Sequence, residues 1–169
     1  MATPIRILAF AGSLRRDSWN KKVLKIAVEG PLAAGAEVTV LDLKDLPMPV
    51  YDGDIETAEG VPAKAKEFKA LMKSHDAFLI ASPEYNSSIP GGLKNAIDWA
   101  SRQEPDEKPL ACFKDKVAAL VSASPGALGG VRSLMAIRLI LSNLMVLVIP
   151  EQVSVMKVHE ALDDQGVLK

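Results

Sequence analysis

Cysteine is almost absent from this chain. Cys112 is its single representative among 169 residues, so an internal disulfide and any cysteine-rich metal site are excluded. Cys112 itself reads as a small, partly buried apolar residue. Histidine is equally scarce, and His75 and His159 lie far apart with no ligand spacing around them, so no metal site is expected. Aromatics make up 5% of the residues against 49% hydrophobic overall. A core must therefore come from Ala, Val, Leu and Ile, a mixture that suits helices packed on a sheet. Charge of one sign is also lacking. A formal net charge of −1 favours neither nucleic acid nor an anionic membrane as partner. The most apolar stretch, Leu134 to Ile149, is interrupted by Arg138, Ser142 and Asn143 and is too short to span a bilayer. Met1-Ala2-Thr3-Pro4 shows no leader pattern, and a cytoplasmic location is expected.

Alternation of elements is clear. Ile5 to Ala11 reads as a buried strand stopping at Gly12, and Ser18 to about Ala33 as a helix closed by Gly35. Glu37–Asp42 is a second strand. A long loop is expected from Leu46 to Pro62, then a helix from Ala63 to Ser74 and a third strand, Ala77–Ala81. Pro90-Gly91-Gly92 precedes a helix with Leu93, Ala96, Ile97 and Ala100 on one stripe. Lys116 to Ser122 is a fourth strand, Val131 to Leu144 a fourth helix, and Val146 to Val155 an extended region broken by Pro150. This β-α alternation predicts one α/β domain over residues 1–169, with a parallel sheet and helices on both faces. Ligands of such sheets lie beyond the carboxyl ends of the strands. That selects the loops after strands one, three and four.

The first of these loops, Gly12 to Asn20, offers hydroxyls at Ser13 and Ser18, the Asn20 amide, the Arg15 guanidinium and free N–H groups at a helix start. A phosphomonoester dianion needs such short donors with positive charge beside them. An ordinary capped turn would look similar. A G-x-x-x-x-G-K-[ST] loop is missing, as is G-x-G-x-x-G after strand one, which argues against a P-loop nucleoside triphosphatase and a dinucleotide-binding Rossmann domain. Phe10, Ala11 and Gly12 stand where a receiver-type domain would carry acidic residues. The second loop, from Ser82 to Trp99 with the start of the following helix, has two prolines and a glycine pair that keep its backbone extended, with Tyr85 as a planar face. No Ser-His-Asp, Cys-His or paired-carboxylate constellation is visible, and no catalytic side chain is assigned.

Two segments, G-S-L-R-x-x-S-x-N at Gly12 to Asn20 and P-E-Y-N-x-S-x-P-G-x-L-K-N-A-I-D-W at Pro83 to Trp99, resemble the flavodoxin-like NAD(P)H-dependent FMN reductases, which include quinone, azo-dye and chromate reductases. Ser122 to Arg132 adds a weaker match. The resemblance implies a three-layer sandwich with strand order 2-1-3-4-5 and FMN as cofactor. It implies Ser13, Arg15, Ser18 and Asn20 at the FMN phosphate, and Pro83, Glu84, Tyr85 and Asn86 along ribityl chain and ring, largely through backbone groups. Ser122 and Ser124 would complete the pocket. NADPH or NADH would reduce the flavin, which would then reduce a small acceptor such as a quinone, azo compound, chromate or ferric chelate. Homodimers or homotetramers are implied too, and the crowded apolar surface of the fourth helix agrees. Arg132 and Glu151 match positions of inter-subunit ion pairs in some relatives, with Met135 where those can have tyrosine. Relatives continue past a segment like Asp163-Asp164-Gln165-Gly166 into a further helix, here missing or shortened. Two other readings stay open: a flavodoxin-type electron carrier, and a related scaffold without cofactor.

Overall fold

The computed structural model describes residues 3–163 and 165–169; Met1, Ala2 and Asp164, on which the leader and C-terminal expectations partly rest, lie outside the described residues. Five strands, β1 (Arg6–Ala11), β2 (Glu37–Asp42), β3 (Ala77–Ala81), β4 (Val117–Ala123) and β5 (Leu147–Val155), form one all-parallel sheet. Their order is β2-β1-β3-β4-β5, as expected for a flavodoxin-like sandwich. Strand side chains alternate between faces, and both faces are covered. On one, Leu8, Phe10, Phe78, Ile80, Ala118 and Leu120 pack under helices α4 (Ala63–Ser74), α5 (Gly91–Ala100) and α6 (Val131–Asn143). On the other, Ala9, Ala11, Leu79, Ala81, Val121 and Ala123 meet Val23 and Leu24 of α1 (Trp19–Ala27). Burial on two sides explains why β1 and β3 are nearly continuous apolar runs.

Three expectations change in the structure. The first helix is not continuous to Ala33: it breaks after Ala27 and resumes as α2 (Glu29–Ala33). Pro31 has no N–H to donate to the Ala27 carbonyl, so the α-helical ladder is cut there. The stretch from Leu46 to Pro62 is not all loop. It contains α3 (Gly53–Glu59), begun by the Asp52 carboxylate accepting from the Asp54 N–H at 2.8 Å and ended at Gly60, whose φ is 76°. Pro150 does not break β5. The ladder runs from Ala118 opposite Val148 to Leu120 opposite Gln152, so a bulge absorbs the proline. Arg138 donates to the Val148 carbonyl at 3.2 Å and to the Gln152 side chain at 3.1 Å, closing that bulge from α6.

After β5 comes the short helix α7 (Val158–Ala161), with Val158 and Leu162 buried against the α1 face. Val117, Leu147 and Val153 remain exposed at the β4–β5 end of that face.

Candidate functional site

Each of the three selected loops starts from a locked position. The Gly12 N–H donates to the Ala81 carbonyl at 2.9 Å, Ser82 N–H to Val121 at 2.9 Å, and Ser124 N–H to Val155 at 3.1 Å. The loops after β1, β3 and β4 therefore leave the sheet in register with one another. Gly12 has a steric reason to be glycine, because a Cβ there would stand 2.7 Å from Leu93 Cδ2 of α5.

Between these loops lies a small cavity of about 100 Å³, walled by Ser13, Arg15, Ser18, Tyr85 and Ser124 among others. Asn20, Pro83 and Glu84 line it too. Eight of the ten residues singled out in the sequence thus come together. Trp19, Ala123 and Pro125 complete the wall; Ala123 and Pro125 carry no hydrogen-bonding side chain and Trp19 only an indole N–H, too little to mark them in the sequence. A second hollow of about 300 Å³ shares Arg15 and Tyr85 with the first and runs along Pro90, Gly91 and Gly92. Arg15 and Tyr85 therefore stand at the junction of both spaces.

The chemistry at the cavity is that of an anion site. Ser18 occupies the N-cap of α1 in extended conformation, yet its hydroxyl makes no capping hydrogen bond although the residue is buried. An N-cap serine ordinarily accepts from the second or third helical N–H. Left as it is, the helix start keeps donors available for an oxyanion. Ser13 Oγ accepts from the Arg15 N–H at 3.3 Å, which turns the loop back over the cavity. Beside it, a hydrogen bond from Lys22 holds the Asp17 carboxyl below its usual range, and Lys22 in turn lies 4.5 Å from the centre of the Trp19 ring.

Asn20 has a different occupation. Its amide nitrogen donates to the Ala123 carbonyl at 2.9 Å while its oxygen accepts from the Ala123 N–H at 3.0 Å. The side chain mimics a strand neighbour and ties α1 to the end of β4. Ser122 and Asn86 do not reach the cavity wall. Ser122, fully buried, donates to the Gly129 carbonyl at 2.7 Å. Asn86 and Ser87 have φ of 52° and 64° and form the tip of a tight turn closed by two hydrogen bonds between Tyr85 and Ser88. Two successive left-handed residues make a type I′ turn, which presents Tyr85 half-exposed beside the cavity.

Glu84 faces away from solvent. Its carboxylate accepts from Arg132 Nε at 2.7 Å and from the Arg132 backbone N–H at 3.1 Å. Ser133 Oγ donates to the Ser82 carbonyl at 2.9 Å. The loop after β3 is thus clasped to the first turn of α6. Arg132 pairs within its own chain in this arrangement, and Glu151 is exposed. Gly129 and Gly130 lead into that turn at φ of 59° and 89°; a Cβ on Gly129 would meet Met156 N and Val155 C at 2.8 Å. Among the described residues no group of three His, Cys, Asp or Glu could hold a metal, and no helix is long and apolar enough to cross a membrane.

Comparison with known proteins agrees with this architecture. The family model of NADPH-dependent FMN reductases matches residues 5–160. A NAD(P)H-dependent FMN reductase of Pseudomonas aeruginosa is 38% identical over 168 residues, covering 98% of this chain and 85% of that protein. An NAD(P)H:quinone oxidoreductase of Solanum tuberosum is 41% identical over 131 residues, 76% of this chain. The chain spans 63% of that plant relative's length. Among solved structures, a flavoenzyme NAD(P)H:(acceptor) oxidoreductase of Paracoccus denitrificans superposes with a TM-score of 0.76 at 30% identity, over 97% of this chain and 86% of that one. With a match running from β1 to α7, the chain belongs to the NADPH-dependent FMN reductase family.

Proposed function

We propose that this protein binds FMN across the loops after β1, β3 and β4 and uses it to pass reducing equivalents from NADPH or NADH to small acceptors of quinone type. One observation carries the reading: the buried, non-capping Ser18 at the start of α1, facing a cavity that also holds Ser13 and Arg15. That donor set fits a phosphate dianion. Charge-assisted bonds of this sort contribute about 1.5–3 kcal/mol each. When bound, FMN supplies the redox chemistry, taking two electrons from a nicotinamide and giving them to the acceptor.

The chain's own groups do the holding. Arg15 and the α1 N–H groups neutralise the phosphate, and Ser124 lies opposite with its hydroxyl accepting from the Gly126 N–H at 3.1 Å. Pro83, Glu84, Tyr85 and Asn86 offer backbone to the ribityl chain and ring, with Asn86 at the turn tip. Ser122 acts behind the wall, fixing Gly129, while Asn20 lines the cavity and holds Ala123. Residues 1–169 act as one flavin domain.

The protein works as a homo-oligomer, dimer or tetramer, in the cytoplasm. Exposed Met135 and Leu139 on α6 support the first, since two large apolar side chains one turn apart form a stripe that a second copy would cover. A buried free cysteine supports a reducing compartment.

Spectroscopy tests the reading directly. The protein purified after expression with ample riboflavin should be yellow and carry one FMN per chain. Anaerobic mixing with NADPH should bleach it, and a quinone should restore the colour. A colourless protein that takes up no added FMN sinks the proposal; flavin that stays oxidised with both nucleotides leaves only an electron carrier.

A further inference from the structure

Beyond the flavin cradle, a third space opens on the other side of Leu14. It is a cleft of about 400 Å³ lined by Leu14, Leu43, Leu46, Pro47, Met48 and Ala96, with Gly92 and Asn95 at its floor and Lys44 at its rim. It shares Leu14 and Gly92 with the hollow that runs from Arg15 and Tyr85. The three spaces are consecutive. Glycine at position 92 keeps the connection open, because a Cβ there would come within 3.0 Å of Leu14 Cδ1.

The outer wall of this cleft, the segment after β2, is held firmly in place. The Pro49 carbonyl accepts from Asn95 Nδ2 at 2.9 Å and from Trp99 Nε1 at 2.8 Å, and the Tyr51 N–H donates to Asn95 Oδ1 at 2.8 Å. Tyr51 stacks edge-on against Trp99 with ring centres 5.0 Å apart. A surface loop tied to α5 at three points is a built wall. Its Asn95 amide is engaged on both sides, so the cleft offers an incoming ligand apolar surface and little hydrogen-bonding capacity. A nucleotide's ribose and adenine would lose hydrogen bonds to water there without replacement, which is costly. A fused ring or an alkyl substituent would lose none.

We propose that this cleft is the subsite for the apolar portion of the electron acceptor, the second ring or alkyl side chain of a substituted quinone, whose redox-active ring lies toward Tyr85. The proposal rests on the flavin-reductase reading above and names the acceptor's apolar part as the determinant of choice among quinones. Lys44, an exposed residue, adds the one charged side chain to this lining.

The test compares acceptors in the flavin-loaded protein. Met48→Trp fills the cleft from its wall, and Pro47→Phe does so from an exposed position that tolerates substitution should the first variant fold poorly. In either, the KM for menadione should rise at least tenfold. The KM for unsubstituted 1,4-benzoquinone, the KM for NADPH, ferricyanide turnover and FMN content should stay within twofold. Equilibrium binding of menadione to the oxidised protein, followed by quenching or calorimetry, should weaken by the same factor. A parallel rise for both quinones, a shift confined to NADPH, or no change in either variant overturns the subsite. Failure of the unsubstituted protein to hold FMN or to reduce ferricyanide would instead overturn the underlying reading.

Discussion

Glu84 and Arg132 are 48 positions apart, yet the carboxylate of one accepts from both the side chain and the backbone N–H of the other. The loop after β3 and the first turn of α6 are thereby one unit. Arg132 is half-exposed, which limits the Coulombic part to about 1 kcal/mol; the helix-capping bond adds a similar amount. Glu84→Ala should lower stability by about 1–2 kcal/mol in urea titration and weaken FMN binding severalfold. A double-mutant cycle with Arg132→Leu should give a coupling of about 1 kcal/mol that shrinks with added salt. Full additivity would mean that the side-chain ion pair contributes nothing and that the backbone N–H bond alone makes the clasp.

Arg15 lines the cavity proposed to take the FMN phosphate and brings positive charge to it. Arg15→Ala should weaken FMN affinity by about 10- to 100-fold, the loss expected from one charge-assisted bond. Fluorescence titration of the apoprotein measures it. Unchanged affinity would remove Arg15 from the site.

Asn20 should behave as a structural brace rather than a ligand. Replacing it by Asp retains the acceptor for the Ala123 N–H but sets a carboxylate oxygen against the Ala123 carbonyl 2.9 Å away. Asn20→Asp should cost about 2 kcal/mol or more in stability, because a buried acceptor pair has replaced a hydrogen bond. If Asn20→Asp unfolds like the unsubstituted protein while losing FMN, the amide contacts the cofactor instead.

Acid sensitivity should arise away from the site. Lys69, almost fully buried on α4, donates to Glu107 at 2.6 Å and lies 3.3 Å from Glu104, while Lys73 reaches Glu107 at 2.5 Å. Burial pushes the Glu107 carboxyl up, but the hydrogen bonds from Lys69 and Lys73 outweigh it and bring its pKa from 4.5 down to about 2. A carboxyl depressed on folding stabilises the protein fully above 4.5, and that contribution fades as the pH falls toward 2. Its size is of order 2–3 kcal/mol. Glu107→Gln should therefore be less stable at pH 7 by this order and show a flatter stability profile between pH 4.5 and 2.

Cys112 should be inert. Burial raises its thiol to about 11, so only about one molecule in a thousand is thiolate at pH 8. Iodoacetamide should label it only after denaturation; rapid labelling of the native protein would show that the 101–116 segment opens readily.

Much of the architecture was legible because it depends on local pattern. The apolar runs of β1 and β3 and the stripe Leu93, Ala96, Ile97 and Ala100 reflect burial periodicities that chemistry imposes on any chain. Where the structure departs from expectation, a local signal is present too. Pro31 cuts the first helix, and the pair of Asp52 and Gly60 brackets α3 in the middle of an expected loop. Pro150 leaves β5 intact, since an edge strand can bulge around a proline when Arg138 takes up its loose carbonyl neighbours.

The site divides along the same line. Its residue types, Ser13, Arg15, Ser18 and Tyr85, and the three loops that carry them followed from composition, strand order and motif, since a parallel sheet sends those loops to one edge. Which side chains face the cavity and which brace it was decided only by tertiary structure. Asn20 and Glu84 are as polar as Ser18, and nothing local distinguishes an amide that meets a ligand from one that meets Ala123, 103 positions away. Hydrogen bonds between distant segments exist only once the sheet has brought those segments together, and it is they that assign each group its partner.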